Sequence, residues 1–120
     1  MKITGPTNIN LVNLIKDLKR ESISQKVNIW KRIAKDLEKP TRSRRVVNLS
    51  RINRYTKENE TIIVPGKVLG AGDLKHKVNI AAFSFSESAK SEVSKLNGKC
   101  LTITELMQQN PKGNNVRIIG

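Results

Sequence analysis

Aromatic side chains are scarce in this sequence of 120 residues: Trp30, Tyr55, Phe83 and Phe85 make up 3% of it. A hydrophobic core must therefore be built from Val, Ile and Leu, and the paired aromatic platform with flanking Arg and Gly that marks an RNA-recognition motif is excluded. Cysteine and histidine occur once each, as Cys100 and His76. A lone cysteine closes no internal disulfide and fits a reducing compartment. A metal site needs several convergent His, Cys or carboxylate ligands, and a nucleophile needs a base close by, so neither residue founds a centre. The carboxylates Asp17, Glu21, Asp36, Glu38 and Glu92 fall on predicted helices at spacings normal for solvated faces. No catalytic residue, metal or cofactor is expected, and the chain does not read as an enzyme. A long apolar run is also missing, which excludes a membrane-spanning helix. Met1 to Asn10 has no apolar signal core, so export is not expected.

Negative charge is the other shortage. Twenty-three Lys and Arg stand against ten Asp and Glu, a formal balance of +13 with a sequence pI near 10.3. Such an excess repels itself in the compact state and calls for a polyanionic partner. Nucleic acid comes first, because neutralising phosphates releases condensed counterions and gives sequence-independent affinity. An anionic membrane is disfavoured, since no helix sets a fully basic face against a bulky aromatic one. The excess is concentrated: Lys39, Arg42, Arg44, Arg45, Arg51, Arg54 and Lys57 follow one another with no acid between them.

Length points to one domain, residues 1–120, with a helical hairpin over 1–39 and an α+β body over 40–120. Asn8 or Asn10 can cap a helix to about Arg20, in which Leu11, Leu14, Ile15 and Leu18 share one face. Glu21, Ser22 and Ser24 interrupt it. A second helix runs from about Ser24 to Lys39, stopped by Pro40, with Val27, Trp30, Ile33, Ala34 and Leu37 inward. After Pro40 come small strand–helix units. Residues 46–49 and 61–64 read as strands, with a short helix between them capped by Ser50. Pro65 to Gly72 reads as a glycine loop, and Val78 to Phe85 as a strand whose two Phe side chains face one side. Ser86 caps a helix ended by Asn97-Gly98. Lys99 to Thr102 forms a strand, Thr104 caps a short helix, and Val116 to Ile119 is a last strand.

Thr41-Arg42-Ser43-Arg44-Arg45 offers planar guanidinium forks for phosphate oxygens, with small hydroxyl donors between them. Seven cations without one anion exceed what solubility alone requires. Arg51 and Arg54 share a helical face, either toward RNA or toward Glu58 and Glu60. Trp30 fits the core by its spacing, while Tyr55 beside the arginines reads either way. In the glycine loop, Gly66 and Gly70 allow close backbone approach to phosphate or ribose, with Lys67, Lys75 and Lys77 supplying charge. The loop also reads as a plain strand connection. It meets neither the P-loop nor the dinucleotide pattern, and no small-molecule substrate is expected.

Three segments carry a resemblance: Leu37-Glu38-Lys39-Pro40, Val47-Asn48-Leu49-Ser50-Arg51-Ile52, and the run from Glu60 to Gly70. Asn110-Pro111-Lys112-Gly113 with Val116-Arg117-Ile118-Ile119 completes it. With these, the chain resembles the large-subunit ribosomal proteins called eighteen-e, over about Thr7 to Ile119, and its short length is similar to the archaeal form. The resemblance implies a fold shared with the bacterial-type large-subunit protein fifteen, and a cytoplasmic place in the ribosome. It also implies large-subunit ribosomal RNA and neighbouring ribosomal proteins as partners. It favours RNA contact at the glycine loop. The competing reading is a free-standing basic nucleic-acid chaperone or chromatin-like protein.

Overall fold

The computed structural model describes residues 9–38 and 45–119. Two helices come first, α1 (Ile9–Gln25) and α2 (Ile29–Leu37). The expected break at Glu21 to Ser24 does not occur. Ser22 turns inward and its hydroxyl donates to the carbonyl of Val27, so the helix carries on through it. The chain reverses at Lys26, whose φ of 57° is left-handed. Helix α2 therefore starts later than expected and ends at Leu37, and Lys39 lies outside the described residues. Of the two candidate caps for α1, Asn8 also lies outside them, and Asn10 is inside the helix.

The body follows as β1 (Arg45–Asn48), α3 (Leu49–Tyr55), β2 (Glu60–Leu69), β3 (Val78–Phe85), α4 (Glu87–Lys95), β4 (Lys99–Thr102), α5 (Ile103–Gln109) and β5 (Val116–Ile118). The α+β class is as expected, and all five strands join one parallel sheet. Its order is β1-β2-β3-β4, with β5 on β2. A parallel sheet has both faces covered. One face packs Ile62, Val64, Val68 and Ile80 under α3 and α4 through Leu49, Ile52, Ala89 and Val93. The other packs Ile63 and Ala81 under α1, α2 and α5 through Leu18, Trp30, Ile33 and Leu106. Trp30 is fully buried, and its indole N–H donates to the Pro111 carbonyl at 2.7 Å, which ties α2 to the turn before β5.

Local caps explain several boundaries. Ser86 caps α4 as expected, its Oγ accepting from the Ala89 amide at 3.2 Å, and Asn97 takes φ 63° past the helix end. Helix α5 is capped by Thr102 and not by Thr104. Thr102 and Glu105 form a reciprocal pair, with the Glu105 amide donating to Thr102 Oγ1 at 3.1 Å and the Thr102 amide to Glu105 at 2.9 Å. That box satisfies two end donors, which a cap at Thr104 cannot match. Ser50 is likewise inside α3, and its amide donates to the Ala71 carbonyl at 3.2 Å.

The glycine loop is the largest departure. Strand β2 continues through Pro65 and Gly66 to Leu69, and Pro65, Gly66 and Val68 are buried. Pro65 has no N–H to give a ladder. It stands where β2 changes its edge partner, from β5 (Ile63 opposite Ile118) to β1 (Gly66 opposite Arg45). The register toward β3 shifts at the same place, from Val64 opposite Ala82 to Lys67 opposite Ser84. Phe83 packs against the cluster under α1, α2 and α5 and Phe85 against the one under α3 and α4, so the two do not share one core as expected. Residues 70–77 then connect two parallel strands and must travel back along the sheet, which accounts for their length. Leu74 is buried in the core on the way.

Candidate nucleic-acid interface

Helix α3 and the crossover 70–77 are bonded to each other along their length. The Lys75 amide donates to Asn53 Oδ1 at 2.9 Å, the Asn59 amide to the Lys77 carbonyl at 2.8 Å, and Thr56 Oγ1 lies 2.8 Å from His76 Nε2. Thr56 is buried, and its hydroxyl also donates to the Ile52 carbonyl at 2.6 Å, closing the end of the helix. This framework holds Arg51, Arg54, Lys57 and Lys75 exposed, with Lys77 half-buried beside them. Five of the sequence-predicted residues are thus brought onto one surface.

Glu60 was a candidate partner for Arg51 and Arg54, and it is used elsewhere. It pairs with Arg117 of β5 at 3.2 Å and accepts the Lys57 amide at 2.9 Å. Among the described residues, neither Arg51 nor Arg54 forms an ion pair. The Arg51 guanidinium instead lies over the Tyr55 ring, 5.2 Å from its centre. Sequence reasoning missed Arg117 altogether. It stands 62 positions from Tyr55, whose carbonyl it reaches at 2.6 Å, and only the pairing of β5 with β2 brings it there.

Of the remaining predicted residues, those that the structure describes are not in this group. Lys67 is exposed, but it points to the opposite face from Val68, in a cross-strand row with Val46 and Ser84. Arg45 is the first residue of β1, opposite Gly66, and Lys39, Arg42 and Arg44 lie outside the described residues. Gly66 is buried in the strand and presents no backbone to a phosphate. Gly70 is required for packing: a Cβ there would meet Ser88 Oγ and stand 2.8 Å from the Ala89 amide nitrogen, at the start of α4.

The chemistry of this surface is cationic and hydrogen-bonding. Among the described residues no three His, Cys, Asp or Glu side chains converge, and no helix is long and apolar enough to cross a membrane. Partial burial raises the Cys100 thiol above its ordinary pKa, against a smaller opposite pull from Lys90, which makes it a poorer nucleophile.

The model of the family described as "Ribosomal protein 60S L18 and 50S L18e" matches residues 2–120. The chain belongs to that family. Curated members include the "Large ribosomal subunit protein eL18" of Methanothermobacter thermautotrophicus, 47% identical over 118 residues, covering 98% of this chain and 97% of that one. The protein of the same name from Methanococcus maripaludis is 51% identical over 119 residues, covering 99% of each. That of Methanoregula boonei is 53% identical over 113 residues, covering 94% of this chain and 93% of its own. The L18e family is one of ribosomal proteins, structural and not enzymatic. The match covers the helical pair, the sheet and the α3 surface alike.

Proposed function

We propose that this chain is a structural constituent of the large ribosomal subunit that holds folded ribosomal RNA through phosphate and ribose contacts, next to other ribosomal proteins. The observation that carries the reading is the α3 surface. Arg51, Arg54, Lys57, Lys75 and Lys77 stand together on a braced helix and crossover, with Glu60 already taken by Arg117. Cations fixed in this way neutralise phosphates of an RNA whose shape is already set, at little ordering cost to the protein. Lys67, exposed on the sheet away from α3, adds a second point of contact, and Lys39, Arg42, Arg44 and Arg45 complete the proposed set by their charge. Gly66 and Gly70 leave the proposed contact set, since one is buried and the other packs against α4.

Sedimentation of cell extract in magnesium tests this reading. A subunit constituent travels with the large particle and stays with it through a moderate salt wash. A chain found wholly in the light fractions is a free nucleic-acid chaperone, and the proposal fails.

A further inference from the structure

We infer that Tyr55, backed by Arg51, is a stacking platform for one unpaired RNA base at the end of α3. The inference rests on the RNA-binding reading and deepens it from phosphate contact to contact with a base.

The chain holds four aromatic residues, and three are used in packing: Trp30 is fully buried, and Phe83 and Phe85 lie against the two cores. Tyr55 is 48% exposed. Burial of an aromatic ring is among the larger stabilising gains open to a small protein, so a ring kept in solvent forgoes it. The backbone that carries the ring is nonetheless firmly held. Arg117 donates to the Tyr55 carbonyl at 2.6 Å and is itself held by Glu60 at 3.2 Å. The next residue, Thr56, is buried and bonded to both Ile52 and His76. A ring carried on a fixed backbone loses less freedom on binding. The Arg51 guanidinium lies over the ring at 5.2 Å, and Arg54 and Lys57, both exposed, lie within two residues of Tyr55, so a base stacked there brings its own phosphates toward waiting cations.

The occupant must be unpaired. A-form duplex buries its base faces in the stack, whereas bulges and loops present a base that can be splayed onto an aromatic side chain. A neighbouring protein is the less fitting occupant, because Arg51, Arg54 and Lys57 all lie within four residues of Tyr55, and of the two acids that follow, Glu58 and Glu60, the second is already paired with Arg117.

The test uses two RNA hairpins of the same stem, one fully paired and one with a single bulged adenine, titrated with the full chain and with Tyr55→Phe and Tyr55→Ala. Stacking of one base predicts that the parent prefers the bulged hairpin by roughly ten-fold. Tyr55→Phe keeps that preference. Tyr55→Ala loses it, while the salt dependence on the paired hairpin is unchanged. Equal binding of both hairpins by the parent, as expected of a ring that meets a protein, overturns the inference. So does a preference that survives in Tyr55→Ala. In either case salt-dependent binding of the paired stem leaves the phosphate reading standing. Absence of salt-dependent binding to both hairpins overturns the two together.

Discussion

The surface of the α1–α2 pair and the surface of α3 with its crossover are both rich in Lys and Arg, and they differ in what faces those charges. On the helical pair the cations are interleaved with acids. Lys19 meets Glu38 at 2.7 Å, and Arg20 lies 3.5 Å from Asp17. Along α3 there is no acid in the helix at all. Of the acids beyond it, Glu60 is bound to Arg117 from a distant strand, while Glu58 and Asp73 are exposed and form no ion pair with Arg51 or Arg54 among the described residues. A count of positive residues would rank the helical pair first. Their fields differ, because an exposed ion pair cancels most of its own potential within a Debye length, whereas unopposed cations add. On the proposed reading, compensation and not abundance separates a solvated helix face from a phosphate-binding one.

Neutralising each surface in turn should have the largest effect. Arg51→Gln with Arg54→Gln and Lys57→Gln should flatten the log–log salt dependence of RNA binding by about 2–3 units, following the proportionality between slope and phosphates neutralised. Lys16→Gln with Lys19→Gln and Arg20→Gln, on exposed positions of α1 where Lys19 and Arg20 are paired with acids, should change it by about one unit or less. Binding isotherms across a salt series check both, and equal losses would erase the distinction.

Gly70→Ala comes next and acts on the fold that supports the site. The new methyl would crowd the Ala89 backbone, so a loss of about 1–3 kcal/mol is expected by thermal or denaturant unfolding. The salt slope of RNA binding should not change, which separates packing from contact at this glycine.

The smallest effect sharpens the comparison from the other side. Glu38→Gln removes the acid that holds Lys19, turning part of the α1–α2 surface into the uncompensated kind. Unfolding stability should shift by about 1 kcal/mol or less, as for exposed pairs generally. RNA affinity at low salt should rise slightly, read in the same binding series.

Much of this architecture was legible from local chemistry. Strand β3, the Ser86 cap, the Asn97 turn and the buried face of Trp30, Ile33, Ala34 and Leu37 follow from period, cap and turn residues within a few positions of one another. What escaped reading depended on partners far along the chain. Pro65-Gly66 reads as a turn until β1 and β5 are placed end to end on β2, where a residue without an N–H suits the changeover. The length of 70–77 suggests a projection only if its flanking strands are taken as a hairpin; they are parallel, and the segment is their crossover. At the site, the acid-free run through Arg51, Arg54 and Lys57 was visible in the sequence. Arg117 was not, because its role depends on β5 pairing beside the start of β2.

The account rests on α3 and its crossover as the RNA-facing surface. Photo-crosslinking of the chain to RNA in intact large subunits, with the linked peptides mapped by mass spectrometry, tests that most directly. Crosslinks should concentrate in the peptides that carry Arg51 to Lys57 and Lys75 to Lys77, with few on the exposed face of α2 around Lys31 and Lys35. Crosslinks confined to α2, with the α3 peptides linked to protein or to nothing, would contradict it.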